Sequence, residues 1–246
     1  VGGPVDLTPV LAETEDILLL GQLGVETGAI LADILLGTAY PSGKLATTWA
    51  RPDSVCPAAE FGRKEETRYR EGIYVGYRYF DSAGIAPVFP FGFGLGYTDF
   101  TVEAKSVSVA GDLITVSAEV RNTGAFPGKQ VVQLYVASPW GRLDQPYQAL
   151  AAFAKTGELP CGGSCRIELQ FRMADLAGFD ESRQAYVLEK GDYVLRCGDS
   201  SRSAPAIALL RLTREVITRQ VKAKLGKPGF ADWKPEKGWV PPKGLP

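Results

Sequence analysis

The sequence predicts two unlike parts, an α/β fragment (a partial α/β sandwich) followed by an all-β antiparallel sandwich. Three observations carry this reading. A continuous apolar run, Ile17-Leu18-Leu19-Leu20, is followed by a glycine-punctuated turn and then by apolar residues at helical spacing. From Thr101 onward the apolar period changes to two. The chain has 246 residues, room for one large domain or two small ones at about 150 residues per domain.

The elements follow in order. Thr8 is placed to N-cap a short helix with Pro9 at its first position. Ile17–Leu20 has strand length and no polar alternation, which predicts a strand buried on both faces and therefore parallel to its neighbours. Gly21, Gly24 and Gly28 punctuate the turn after it. Ile30, Leu31, Ile34 and Leu35 share one helix face, Gly37 sits where a C′ residue belongs, and Pro41 prevents continuation. Residues 1–50 thus form part of a sheet with too few strands to be complete. Residues 51–100 read as a loop-rich connector, and Pro87–Tyr97, dense in Gly and Phe, cannot be a regular helix.

Residues 101–213 carry the sandwich. Ile114, Val116, Ala118 and Val120 alternate with polar residues, as do Val132, Leu134 and Val136, then Ile167, Leu169 and Phe171. Tyr193-Val194-Leu195 and Ala206–Leu212 follow, and Asn122-Thr123-Gly124, Pro127-Gly128, Gly162-Gly163 and Gly191-Asp192 mark turns. Residues 214–246 form a Lys- and Pro-rich tail. Val216, Ile217 and Val221 give it a short helical or extended start, and the rest reads as a linker or an arm laid on another domain.

Composition excludes several functions. There is no histidine, so Ser–His–Asp triads, Cys–His pairs and His-bearing zinc sites are ruled out. Acid–base chemistry would have to use carboxylates, Lys, Tyr or Cys. A net charge of −1 argues against nucleic acid and anionic membranes as partners, and no apolar run nears the ~20 residues of a bilayer span. The irregularly spaced Cys56, Cys161, Cys165 and Cys197 read as free thiols, with Cys161–Cys165 the one local bridge to check. No metal site and no cofactor are indicated. No basic stretch followed by an apolar run reads as a leader, which favours the cytoplasm, but the sequence begins at Val1 without an initiator Met, so its N-terminus does not fix the compartment.

Two places could carry chemistry. Gly21-x-x-Gly24-x-x-x-Gly28 opens a helix but lacks the spacing of a dinucleotide or phosphate loop, so tight turning is the default. Gln22 and Glu26 lie on that loop, at the end of a strand, where open α/β sheets bind ligands. A solvated or capping role suits them equally, since Glu26 near a helix start is favourable by charge alone. The second place is Glu71–Asp81, Glu-Gly-Ile-Tyr-Val-Gly-Tyr-Arg-Tyr-Phe-Asp. Its aromatics could stack on a sugar, with Glu71 and Arg78 near the substrate. The preferred reading is a strap at the domain junction, with Arg78 paired to a nearby carboxylate.

Several motifs recur in order. Gly24-x-Glu26-x-Gly28-x-x-x-Ala32-Asp33-x-Leu35-x-Gly37 precedes Pro41-Ser42-Gly43-Lys44-Leu45 and Thr48-Trp49. Tyr69-Arg70-Glu71-Gly72-Ile73-Tyr74-Val75-Gly76-Tyr77-Arg78-Tyr79-Phe80-Asp81 and Pro90-Phe91-Gly92-Phe93-Gly94-Leu95-Gly96-Tyr97 come next. Val120-Arg121-Asn122-Thr123-Gly124, Gly128–Val136 and Gly191-Asp192-Tyr193 complete the series. Together they resemble the C-terminal region of glycoside hydrolase family 3, the β-glucosidase and β-xylosidase family, over residues 1–213. The second half is similar to its fibronectin type III-like domain, an immunoglobulin-like sandwich.

The resemblance implies a retaining glycosidase acting on terminal β-linked glucose or a related sugar, in a β-linked oligosaccharide or an aryl glucoside. Its two carboxylates would lie about 5–5.5 Å apart. It also implies that the nucleophilic Asp belongs to a (β/α)8 barrel domain and the acid/base Glu to an earlier loop of the sandwich domain, both outside these residues. No catalytic residue is therefore assigned here. The alternative is a non-catalytic carbohydrate-binding or scaffold module.

There are departures from the family pattern. Val25 stands where the family commonly has Gln, and Pro160-Cys161-Gly162-Gly163-Ser164-Cys165 replaces its usual Pro-Gly-Glu-Ser turn. Arg211-Leu212-Thr213-Arg214-Glu215-Val216-Ile217-Thr218 resembles the connection in members whose barrel follows the sandwich, so the chain is expected to be part of such a permuted enzyme, with a barrel after Pro246, or of one processed before its barrel. An incomplete sheet also predicts exposed apolar surface within residues 15–40, or its cover by a partner such as a second copy.

Overall fold

The computed structural model describes residues 3–56, 64–222, 224, 226 and 229–235. Its first part holds two helices and no sheet. Helix α1 (Thr8–Leu11) starts one residue earlier than expected, so Pro9 is its second residue and Leu7 occupies the N-cap. Thr8 lies one residue inside, and Asp6 Oδ1 accepts its backbone N–H at 2.9 Å, so the carboxylate does the capping assigned to Thr8.

Ile17–Leu20 is not a strand. The run belongs to no β-ladder among the described residues, and Ile17, Leu18 and Leu19 are each about 40% exposed. A strand exists only through ladder hydrogen bonds, and the described residues supply no partner strand here. Gly24–Glu26 forms one 3-10 turn leading into α2 (Thr27–Leu35). Gly37, at φ +74°, is the predicted C′ residue. Its N–H bonds to the Ile34 carbonyl and that of Thr38 to Asp33, the paired bonds of a Schellman ending.

The connector is loop-rich except for α3 (Tyr77–Ser82), which periodicity did not reveal. Five of its six residues are buried, so it has no polar face to mark a period. Before it, Trp49 pairs with Phe89 as an isolated antiparallel bridge that ties the two ends of the connector together.

The second part is the expected antiparallel sandwich. One sheet has the order β1-β2-β5, from β1 (Phe100–Ala110), β2 (Leu113–Asn122) and β5 (Ser164–Arg172). The facing sheet has the order β4-β3-β8-β9, from β3 (Val131–Ala137), β4 (Ala149–Lys155), β8 (Gly191–Gly198) and β9 (Ala206–Leu212). Ile114, Val116, Ala118, Val120, Ile167, Leu169 and Phe171 project from the first sheet and meet Val132, Leu134, Val136, Tyr193 and Leu195 from the second. Each such side chain contributes roughly 1.5–3 kcal/mol on burial, which makes this the main stabilising core.

Strand β4, Ala-Leu-Ala-Ala-Phe-Ala-Lys, escaped the sequence reading because four of its seven residues are Ala and give little contrast. A third sheet, β10-β7-β6, also escaped it. It comprises β6 (Gly178–Asp180), β7 (Ala185–Leu188) and β10 (Val216–Gln220), strands of three to five residues that are too short to show a period. The start of the tail is thus extended, paired antiparallel to β7.

Candidate functional site

Polar side chains converge where the strap meets the sandwich. Gly76, at φ +59°, turns the chain into α3. The helix then lies against the β3–β4 and β8–β9 loops. Asp81 is almost wholly buried, and Arg202 Nε reaches its Oδ1 at 2.7 Å. Gln148 Nε2 donates to Asp81 Oδ2 at 3.0 Å and to the Ser201 carbonyl at 2.7 Å. Arg202 also donates to the carbonyls of Phe80 and Ile85, at 3.1 and 2.7 Å, and so satisfies the end of α3. Ser82 Oγ accepts the Tyr147 N–H at 2.9 Å, and the Tyr77 hydroxyl accepts the Leu150 N–H at 2.8 Å. Desolvation pushes the Asp81 carboxyl above its ordinary range, and Arg202 pulls it back.

Aromatic packing reinforces the junction. Tyr77 lies 4.9 Å from Phe91 and 5.9 Å from Tyr135, centroid to centroid. The Tyr135 hydroxyl donates to Gln133 Oε1, whose amide nitrogen donates to the carbonyls of Gly92 and Asp199. Burial raises the Tyr135 phenol far above its usual value, so it stays a neutral donor. Gly92, at φ +82°, is needed twice: a Cβ there would meet Gln133 at 2.1 Å.

Single bonds tie the first part to the sandwich and to the connector. Lys155 Nζ donates to Ser42 Oγ at 2.7 Å, Tyr97 OH donates to the Ile34 carbonyl at 2.8 Å, and Lys44 Nζ donates to the Gly94 carbonyl. Lys44 borders a cavity of about 140 Å³ with Phe93, Leu95, Asp199 and Ser203. That is below the ~300 Å³ at which ligand pockets begin. Among the described residues no cluster of three His, Cys, Asp or Glu side chains is arranged to hold a metal.

The four sequence-selected residues are not assembled into one site. Gln22 and Glu26 are exposed on the loop before α2, and Glu26 occupies the N-cap position of that helix. Glu71 is half-buried in the strap and its carbonyl accepts the Tyr74 N–H. Arg78 is exposed and stacks on Tyr77, 5.9 Å from the ring centre. No hydrogen bond or ion pair joins any two of them among the described residues.

The strap's ion pair belongs to Asp81 and Arg202, not to Arg78. Arg78 points away because the buried face of a six-residue helix is already taken by Tyr77, Tyr79, Phe80 and Asp81. Nor is the strap an open stacking platform, since Tyr74, Tyr77, Tyr79 and Phe80 are each under 9% exposed. Arg202, Gln148 and Gln133 escaped the sequence reading. Arg202 and Gln148 lie in loops, and Gln133, between Val132 and Leu134, holds the ordinary outward position of an alternating strand, so none of the three stood out.

The two buried carboxylates are both held by arginine. Asp81 faces Arg202, and Asp180 lies 2.8 Å from Arg142 and 3.0 Å from Arg183. The Ser182 hydroxyl, with Arg142, holds the Asp180 carboxyl well below the usual range. Neither is placed as a free acid or nucleophile. The cysteines are free thiols, Cys161 exposed on the turn and Cys165 turned toward the sandwich core, so the local bridge is not formed.

Comparison with known proteins places these features. Residues 1–97 match the glycosyl hydrolase family 3 C-terminal domain, and residues 130–201 match the fibronectin type III-like domain. The chain is 37% identical to β-glucosidase A of Butyrivibrio fibrisolvens, a match covering 92% of this chain and 30% of that protein. It is 40% identical to a β-glucosidase of Rhizobium radiobacter, covering 79% of this chain and 25% of that protein. The solved β-glucosidase 3B of Thermotoga neapolitana, in complex with glucose, superposes with a TM-score of 0.82 at 39% identity. That match covers 87% of this chain and 30% of the solved one. The chain therefore spans less than a third of the length of these relatives.

Proposed function

This chain belongs to glycosyl hydrolase family 3, whose C-terminal domain and fibronectin type III-like domain it carries, and from that premise we propose that it is the non-barrel part of a retaining β-glucosidase. The observation that carries the reading is the ordered match of both domains, with relatives at 37–40% identity that are named β-glucosidases. The substrate class is a terminal non-reducing β-D-glucoside, in an oligosaccharide or on an aryl group. The partner is a (β/α)8 barrel domain of the same enzyme.

The chemistry divides accordingly. A retaining glycosidase needs a nucleophile and an acid/base about 5–5.5 Å apart. The carboxylates that burial could tune here, Asp81 and Asp180, are neutralised by arginines and serve the fold. On the family pattern both catalytic groups come from residues outside this chain, and the role of this part is to shape and support the site. Gln22 and Glu26, on the loop before α2, and Glu71 and Arg78, on the strap, are the substrate-proximal candidates. The exposed Ile17, Leu18, Leu19, Leu23, Leu35 and Leu36 form the surface on which the rest of the α/β sheet packs, which accounts for a strand-like run without a ladder.

The test compares the 246-residue chain with the longer polypeptide that contains it, on a panel of chromogenic β-glucosides and β-xylosides. The longer polypeptide is expected to hydrolyse the glucosides and to release the β-anomer first, as followed by proton NMR. Glucose or cellobiose bound by the 246 residues alone, with no turnover by either form, would favour a carbohydrate-binding module instead.

A further inference from the structure

Residues 229–235 of the tail return to the strap, a contact that the family comparison does not describe. Trp233 stands edge-on to Tyr74 and Tyr79, with ring centroids 5.0 Å from each. Its backbone N–H donates to the Arg70 carbonyl. Arg70 Nε donates to the Ala231 carbonyl at 3.2 Å, across 161 residues of sequence. Arg68 lies over the Phe230 ring, 6.0 Å from its centre. Asp232 fills the space over Gly72, where a Cβ would meet its Oδ2 at 2.8 Å. Lys234 Nζ then reaches Asp144 Oδ2, on the β3–β4 loop of the sandwich, at 2.7 Å.

These contacts act on one segment. Residues 66–76 carry little regular structure; among the described residues they are held internally by the turn bonds from Gly72 N–H to the Tyr69 carbonyl and from Tyr74 N–H to the Glu71 carbonyl, and by the exposed Arg68–Glu66 pair at 3.0 Å. Tyr74 is nevertheless only 4% exposed, in a small cluster with Tyr79 and Phe80 that Trp233 packs against. The arm meets the segment through backbone, ring and guanidinium groups together, while the single exposed ion pair adds little by itself.

We propose that residues 229–235 are a cis-acting clip, with Trp233 as the plug of a Tyr74/Tyr79 socket, that holds the 66–76 segment against the sandwich. The clip works beside the Asp81–Arg202 lock on α3, so the junction is gripped from two sides by segments far apart in sequence. The inference stands on this chain's own contacts and holds whether or not the glucosidase reading does.

Hydrogen exchange on the full chain tests it. The Trp233 amide is expected to exchange at least tenfold more slowly than in an unstructured peptide. Trp233→Ala should speed exchange at the Gly72 and Tyr74 amides at least tenfold and leave β2 and β3 unchanged. Trp233→Phe should restore most of the protection. Free-peptide exchange at Trp233 in the unaltered protein would overturn the proposal. So would unchanged Gly72 and Tyr74 amides in Trp233→Ala, or an increase spread evenly over the sandwich.

Discussion

Arg202 is the residue on which the junction depends most. It neutralises Asp81 and caps the carbonyls of Phe80 and Ile85. Replacing it with Met keeps the apolar stem and leaves a buried carboxylate without its cation. The expected loss is about 2–3 kcal/mol at pH 7, somewhat below the 3–5 kcal/mol of a fully buried pair because the Arg202 side chain is partly exposed. The pH dependence has a definite sign. Asp81 already titrates above its ordinary 3.8 in the folded state, so its charged form costs stability as pH rises through that range. Without Arg202 the folded value climbs further and the cost at neutral pH grows. The deficit of Arg202→Met should therefore shrink as pH is lowered toward 4, as urea unfolding midpoints would show, whereas a deficit independent of pH would mean that Asp81 is not the group affected. Nothing in the sequence singled out Arg202. It lies in a Ser-rich loop, and its partner is 121 residues away, a pairing that only the fold creates.

At the scale of elements, burial separates two kinds of apolar residue that look alike in sequence. Leu134 in β3 is fully buried in the sandwich core, and Leu134→Ala should cost about 3 kcal/mol and lower the melting temperature accordingly. Leu35 in α2 is 67% exposed, and Leu35→Ala should change the stability of the isolated chain by less than about 0.5 kcal/mol. Equal losses would show that α2 is covered in solution.

The third sheet gives an acid-sensitive prediction. Asp180 is held below its ordinary 3.8 by Ser182 and Arg142, so it adds stability above that value, which is lost as pH falls through the depressed folded value. Asp180→Asn should flatten the stability curve below about pH 4, while an unchanged acid limb would remove Asp180 from the account. How much of this was legible depended on contrast. The alternation in β2 and β5 is clean because one face of each strand is core and the other largely polar, and in β3 Val132, Leu134 and Val136 carry it although Gln133 and Tyr135 on the second face are buried too. The Ala-rich β4 and the largely buried α3 offered no such contrast. Ile17–Leu20 misled in the opposite direction, since its composition is that of a central strand while the neighbours that would make it one are not among the described residues.

For the molecule as a whole, the recurring motifs identified the family and the order of its parts before any coordinates. The loop candidates Gln22 and Glu26 followed from strand-end logic, whereas the junction lock and the returning arm could be read only in three dimensions. The central claim is that this chain supports a glycosidase site whose reacting carboxylates lie elsewhere. Trapping the glycosyl-enzyme tests it most directly. The longer polypeptide would be treated with an activated 2-deoxy-2-fluoro-β-glucoside, digested, and the labelled carboxylate located by mass spectrometry. The account predicts a single labelled Asp outside residues 1–246. A label on any carboxylate within them would contradict it.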